Sequence, residues 1–149
     1  MRIIGRPEFY ICGYATKTTL ENNDGDIGQL YKDFCNTGKE QLLIGLPGCK
    51  PGFYGLEWYT PDHKSFYYLL GKQVDKPESV PDGAMVKTIP AAQYAVYDAP
   101  LGTSLVNVWT HFFYTVIPEQ GYRPDESHGF TSNTIQPPRM AAVNFGYLS

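Results

Sequence analysis

Ile27-Gly28-Gln29-Leu30-Tyr31-Lys32-Asp33-Phe34-Cys35 and Leu105-Val106-Asn107-Val108-Trp109-Thr110-His111-Phe112-Phe113 decide how this chain is read. Each puts apolar residues at i, i+3, i+4, i+7 and i+8, the stripe of a helix with one face on a core. Leu105 lies 78 positions beyond Ile27, and the segments after the helices recur too. Gly55-Leu56-Glu57 corresponds to Gly129-Phe130-Thr131 at an offset of 74. Phe66-Tyr67-Tyr68-Leu69-Leu70-Gly71 corresponds to Ala141-Ala142-Val143-Asn144-Phe145-Gly146 at an offset of 75. The spacing predicts a duplicated β-α-β-β unit, with repeats at roughly 1–75 and 84–149 of a single domain spanning 1–149.

One such unit leaves a sheet edge and a helix face uncovered. Two can join into one antiparallel sheet with both helices on one face and a ligand trough between them, an α+β fold. The expected elements follow. Arg6–Thr16 reads as a strand, and Asp26 with Gln29 as a capping box opening the first helix, which Gly38 stops. Leu42–Gly52 reads as a loop, Phe53–Tyr59 and Ser65–Val74 as a hairpin around Thr60–Lys64, and Asp75–Gly83 as a linker. Ala84–Ala99 is a strand region bent near Pro90, and Thr103 or Ser104 caps the second helix, which Pro118 and Gly121 close. Strands around His128–Ile135 and Met140–Leu148 complete the second repeat.

Composition narrows the function. The 149 residues are 42% hydrophobic and 18% charged, as in an ordinary globular domain, while aromatics reach 15% with twelve Tyr. Tyr has an apolar body and a polar tip, which suits a half-wet groove. A net charge of −3 without a basic run argues against direct nucleic-acid binding. No segment has the length of a membrane span, and the N-terminus lacks a signal-peptide core. Cys12, Cys35 and Cys49 fit neither a disulfide framework nor a CxxC site, so reduced thiols in a cytoplasm are expected. His63, His111 and His128 lack metal-ligand spacing, and neither a phosphate loop nor a nucleophile elbow is present. No metal or cofactor is expected.

The candidate site centres on Gly55-Leu56-Glu57-Trp58-Tyr59. In a strand, Glu57 and Tyr59 share one face while Leu56 and Trp58 share the other. A carboxylate among aromatics is solvated at an edge, paired with a distant Lys or Arg, or waiting for a cation from a ligand. Trp109 and Phe113 are expected on the helix face nearest the sheet, with Trp109 reading first as core. Tyr68, Phe145 and Tyr147 lie in the returning strands, where parity does not assign a face. Tyr94 and Tyr97 face opposite sides of their strand, and one of them is expected at the ligand.

Ile89-Pro90-Ala91-Ala92-Gln93-Tyr94-Ala95-Val96-Tyr97, Trp109, and Ile117-Pro118-Glu119-Gln120-Gly121-Tyr122 resemble motifs of the GyrI-like family, the effector-binding domain of AraC- and MerR-type regulators. Gly13-Tyr14, Thr16 and Ile27-Gly28, Leu30-Tyr31 are similar to its first-repeat motifs, and the resemblance covers essentially the whole chain. It implies binding of bulky, aromatic, cationic small molecules between the repeats. Family members typically carry an acid in the strand after the second helix, in a pattern like F-E-x-Y. Here Phe130-Thr131 stands there, and the E-x-Y pattern occurs as Glu57-Trp58-Tyr59 in the first repeat. Repeat symmetry then places Glu57 on the opposite wall of the trough. The ligand-binding residues expected are Glu57, Trp58, Tyr59, Tyr68, Tyr97, Trp109, Phe113, Phe145 and Tyr147.

The resemblance leaves other roles open. One is hydrolysis of reactive ring compounds, with Glu57 as general base and Tyr59 orienting the substrate. Another is the protein-interaction role of a gyrase inhibitor. No helix-turn-helix precedes the first strand, so a part in transcription regulation is expected through a regulatory protein partner or a lost fusion. An exposed aromatic patch would equally serve a homodimer.

Overall fold

The repeat is visible in the backbone of the computed structural model, which describes residues 1–99, 105–122, 130–136 and 139–145. Among these are strands β1 (Arg2–Arg6), β2 (Phe9–Thr18), β3 (Phe53–Tyr59), β4 (Phe66–Val74), β5 (Met85–Ile89), β6 (Ala92–Ala99), β7 (Phe130–Gln136) and β8 (Arg139–Phe145). Helix α1 (Asn23–Asn36) and the short α2 (Lys39–Ile44) lie in the first repeat. In the second, α3 (Leu105–His111) runs through a π-helical segment (Phe112–Val116) into a last α-turn, α4 (Ile117–Glu119). All strands pair antiparallel in the order β1-β6-β8-β7-β3-β4-β2-β5. The units β2-α1-β3-β4 and β6-α3-β7-β8 are the two expected repeats, and β3 meets β7 at the centre.

Each repeat also has a leading strand beyond the expected unit. Arg2–Arg6 pairs with Ala92–Val96 and Phe9–Gly13 with Met85–Ile89, in one continuous antiparallel register. The ladder breaks only where Pro7-Glu8 stands opposite Pro90-Ala91. Proline has no amide hydrogen for a ladder and fixes φ, so both strands bend there. Past the bend, β1 covers the β6 edge of the second repeat and β5 covers the β2 edge of the first. Each repeat thus closes the other's open edge. The expected bend near Pro90 is present. The expected strand Arg6–Thr16 is corrected: it runs Phe9–Thr18 and is preceded by β1. β1 is exposed at all but its last position, so it carries no apolar alternation for a sequence reading to find.

The two faces of the sheet carry different cores. Phe9, Ile11, Tyr54, Leu56, Leu69, Ile89, Tyr94 and Val96 pack together on one face. Arg6 anchors the bend above them, donating to Tyr54 Oη and Gln73 Oε1, both at 3.0 Å, with its guanidinium 3.9 Å from the Phe9 ring. On the other face, Leu30 and Phe34 of α1 pack onto Cys12, Tyr14, Tyr68 and Leu70. Phe112 and Ile117 cover Ala95 on that same face in the second repeat. Both helical segments therefore lie on one side of the sheet, as expected.

Three local expectations are corrected. α1 begins at Asn23, so Asp26 sits within its first turn, and Gln29 donates to Asp33 Oδ1 (2.9 Å) instead of closing a capping box. Gly38, at φ +80°, ends α1 and immediately starts α2 in a stretch read as partly loop. Only Leu43 of α2 is buried, so it has no stripe, and the helix is held instead by Glu40 against the buried Lys72 at 3.6 Å. Pro118 does not stop the second helix, which continues to Glu119 before Gly121 turns it at φ +78°. The wider π-helical turn just before it relieves the crowding a proline ring causes in a regular helix. All three cysteines are free thiols. Among the described residues no helix is long and apolar enough to cross a membrane.

Candidate functional site

The register places Glu57 on the floor between the repeats. Its Cα partners are Tyr68 on β4 and Thr131 on β7, and the row continues through Asn144 and Ala95. Tyr68 belongs to the α1-covered face, and directly paired residues share a face, so Glu57 points to the helix side. Leu56 and Trp58 pack on the opposite face, as alternation requires.

Thr131 is also the repeat counterpart of Glu57, and the two positions are direct partners at the β3–β7 seam. The pseudo-twofold axis passes between them. The expectation of opposite trough walls is therefore corrected: the two positions are neighbours on one floor, roughly 5 Å apart.

Glu57 is half-buried, and loss of solvent raises its carboxyl from 4.5 to about 7. Among the described residues nothing donates a hydrogen bond to it and no cation pairs with it. Burial costs this group its charge near neutral pH, and a cation brought into the site would restore it.

Aromatic groups ring this floor. Tyr59, two residues on and on the same face, is 53% exposed. Burial pushes its phenol upward, with Glu57 and then Tyr114 adding to the shift. Tyr114, on the π-helical segment, is 82% exposed and so brings a free phenol to the same neighbourhood. On the α1 side, Tyr31 Oη and Tyr68 Oη lie 3.1 Å apart. Tyr68 is fully buried and its ring crosses Gly55, where an added Cβ would come within 2.1 Å of its hydroxyl. Gly55→Ala is expected to displace Tyr68, break the bond to Tyr31 and cost about 2 kcal/mol in urea unfolding, overpacked cores being the precedent.

The remaining candidates divide. Tyr97 is half-buried on the helix side and stacks on Phe112 at 5.3 Å and 16°, while Tyr94 packs in the core of the other face. Phe112 is fully buried in the core under this helix, and Phe113 is half-buried beside it, their ring centroids 6.3 Å apart. Trp58 is stacked on Tyr67 at 5.4 Å, with Lys87 Nζ 4.0 Å from its ring, on the face away from Glu57. It does not join the Glu57 site. Trp109 and Phe145 are described only through their backbones, in α3 and β8, and Tyr147 lies outside the described residues. Tyr31 and Tyr114 are not among the residues the sequence points to. The run Phe112-Phe113-Tyr114 held the signal for the second, hidden because a π-helical turn departs from the 3.6 period.

The chain matches the Cass2 family of integron-associated effector binding proteins over residues 2–136. It belongs to that family. Solved structures similar to this Cass2-family chain agree on the fold at low identity. An integron cassette protein from the mobile metagenome of Vibrio cholerae is 12% identical with a TM-score of 0.68, covering 99% of this chain and 95% of its own. SAV2435, solved bound to tetraphenylphosphonium, is 12% identical with a TM-score of 0.76, covering 96% and 91%. A putative transcription regulation protein from Staphylococcus aureus MU50 is 13% identical with a TM-score of 0.68, covering 98% and 97%. No curated protein matches the chain. Membership of the Cass2 family, a GyrI-like family, supports small-molecule binding as the general activity.

Proposed function

We propose that the protein binds amphipathic, cationic aromatic small molecules on the floor between its repeats, as a sensor or sequestering protein. The observation that carries this reading is Glu57, a half-buried carboxylate with no cation beside it among the described residues and aromatic rings around it. An incoming cation supplies the missing charge, and Tyr59, Tyr31 and Tyr114 offer rings for contact and cation–π attraction. The tetraphenylphosphonium held by SAV2435, a protein of the same fold, is an aromatic cation of this class.

The pH dependence tests the charge. A cation favours ionised Glu57, so binding of tetraphenylphosphonium is expected to strengthen from pH 5 to pH 7 and to level off above about 7. Below that point affinity falls by up to tenfold per pH unit. Calorimetry near pH 6 in buffers of different ionisation enthalpy should show close to one proton released per ligand. An affinity independent of pH, or a matched anion such as tetraphenylborate binding as well, would remove Glu57 from the site.

The same value near 7 suits a general base at neutral pH, which favours one second reading: hydrolysis of a strained-ring electrophile by water activated at Glu57. Turnover that disappears in Glu57→Gln while cation binding is absent from the wild type would select it.

A further inference from the structure

Beside Tyr59, the hairpin and the turn before α1 form a half-open cavity of about 290 Å³, lined by Thr19, Leu20 and Glu21 on one side and Tyr59, His63, Lys64 and Phe66 on the other. Building on the cation reading, we propose that the ligand carries a flexible aliphatic tail, which runs along β3 from Glu57 past Tyr59 into this cavity.

Tyr59 belongs to both places: it shares a face with Glu57 and forms a wall of the cavity. One strand step of two residues separates them, roughly 7 Å. That is within reach of a short alkyl chain. The volume lies at the low end for a small-molecule site and suits part of a ligand. The walls that a chain would touch are apolar: Phe66 is buried below, its ring 5.9 Å from that of Tyr59, and Leu20 stands above. Leu20 is 73% exposed, a large apolar side chain held at the cavity without cover.

The hairpin that forms the far wall is built before any ligand arrives. Thr60 Oγ1 donates to Asp62 Oδ1 at 2.7 Å, the Lys64 amide donates to the same oxygen at 3.0 Å, and His63 holds φ +58°. These bonds also occupy the Asp62 carboxylate, while Lys64 and Glu21 bring one charge of each sign to the lining. The cavity therefore holds no net negative charge to draw in a second cationic end, and its apolar walls favour a neutral chain.

A series of n-alkyltrimethylammonium ions from butyl to decyl, titrated by calorimetry, tests the tail. In the wild-type protein affinity is expected to rise about two- to fourfold per methylene, as burial of hydrocarbon predicts, until the cavity is filled. Leu20→Ser should flatten this rise by half or more, and Leu20→Phe should keep it. Leu20 is exposed, so both variants should fold. An equal rise in wild type and Leu20→Ser overturns the proposal, as does tighter binding of a bis-quaternary ion than of the matching single-headed chain. Benzyltrimethylammonium, which has no tail, separates the two readings. If it binds wild type and Glu57→Gln alike, the cation reading fails and the tail proposal fails with it; if Glu57→Gln weakens it while the methylene rise is unaffected by Leu20→Ser, only the tail proposal fails.

Discussion

Glu57→Gln is expected to weaken tetraphenylphosphonium binding by about 10²- to 10³-fold at pH 8 and, at the same pH, to make the unliganded protein more stable. The first effect follows from removing one partner of a desolvated charge pair, worth about 2–5 kcal/mol. The second follows from linkage. Folding raises the Glu57 carboxyl from 4.5 to about 7, so the folded state binds its proton more tightly than the unfolded state. Stability contributed by this proton is complete below pH 4.5 and is lost as pH rises through the window up to about 7. Above it, the wild type carries a charge that burial disfavours. A neutral amide of nearly the same shape avoids that cost, about 2 kcal/mol after discounting for partial exposure, or roughly 5 °C in melting temperature for a chain of this size. Thermal unfolding of both proteins at pH 4.5 and pH 8 measures it: the curves should nearly coincide at the lower pH and separate at the higher. Loss of stability in Glu57→Gln at pH 8 would mean that Glu57 already has a partner in the folded protein. The opposite signs of the two effects separate a binding carboxylate from a structural one.

The parts of this fold that were legible were those with a local period. The stripes from Ile27 and Leu105 yielded both helices, and Phe53–Tyr59 matched β3 residue for residue. The exchange of β1 and β5 between repeats was not legible, because pairing with a distant strand leaves no trace in an exposed segment such as Arg2–Arg6. α2 failed for a related reason: one buried residue makes no pattern. At the site, alternation correctly put Glu57 and Tyr59 on one face, which also set Trp58 apart from them. Symmetry between repeats was read from Gly55 and Gly129, but the distance between symmetric positions depends on where the axis falls. That follows only from the β3–β7 register, in which Glu57 meets Thr131.

The same register makes an exchange of the two residues informative. Glu57→Thr alone is expected to lose cation binding about as far as Glu57→Gln does. Adding Thr131→Glu should recover affinity to within roughly tenfold of the wild type, because directly paired positions share a face and lie about 5 Å apart. The recovered site should keep its preference for cations over anions, as no cation stands beside the axis among the described residues. Thr131→Glu in the wild-type background has a different expected outcome. Two carboxylates at paired positions cannot both ionise cheaply, so one holds its proton to higher pH while the other ionises more readily. Cation binding in that variant should persist to lower pH than in the wild type. If the exchanged protein binds no better than Glu57→Thr, the acid must act from β3 alone, and the repeat symmetry has no part in recognition. Recovery would mean that either repeat can supply the acid, since what the ligand meets is a charge beside the axis rather than a particular wall.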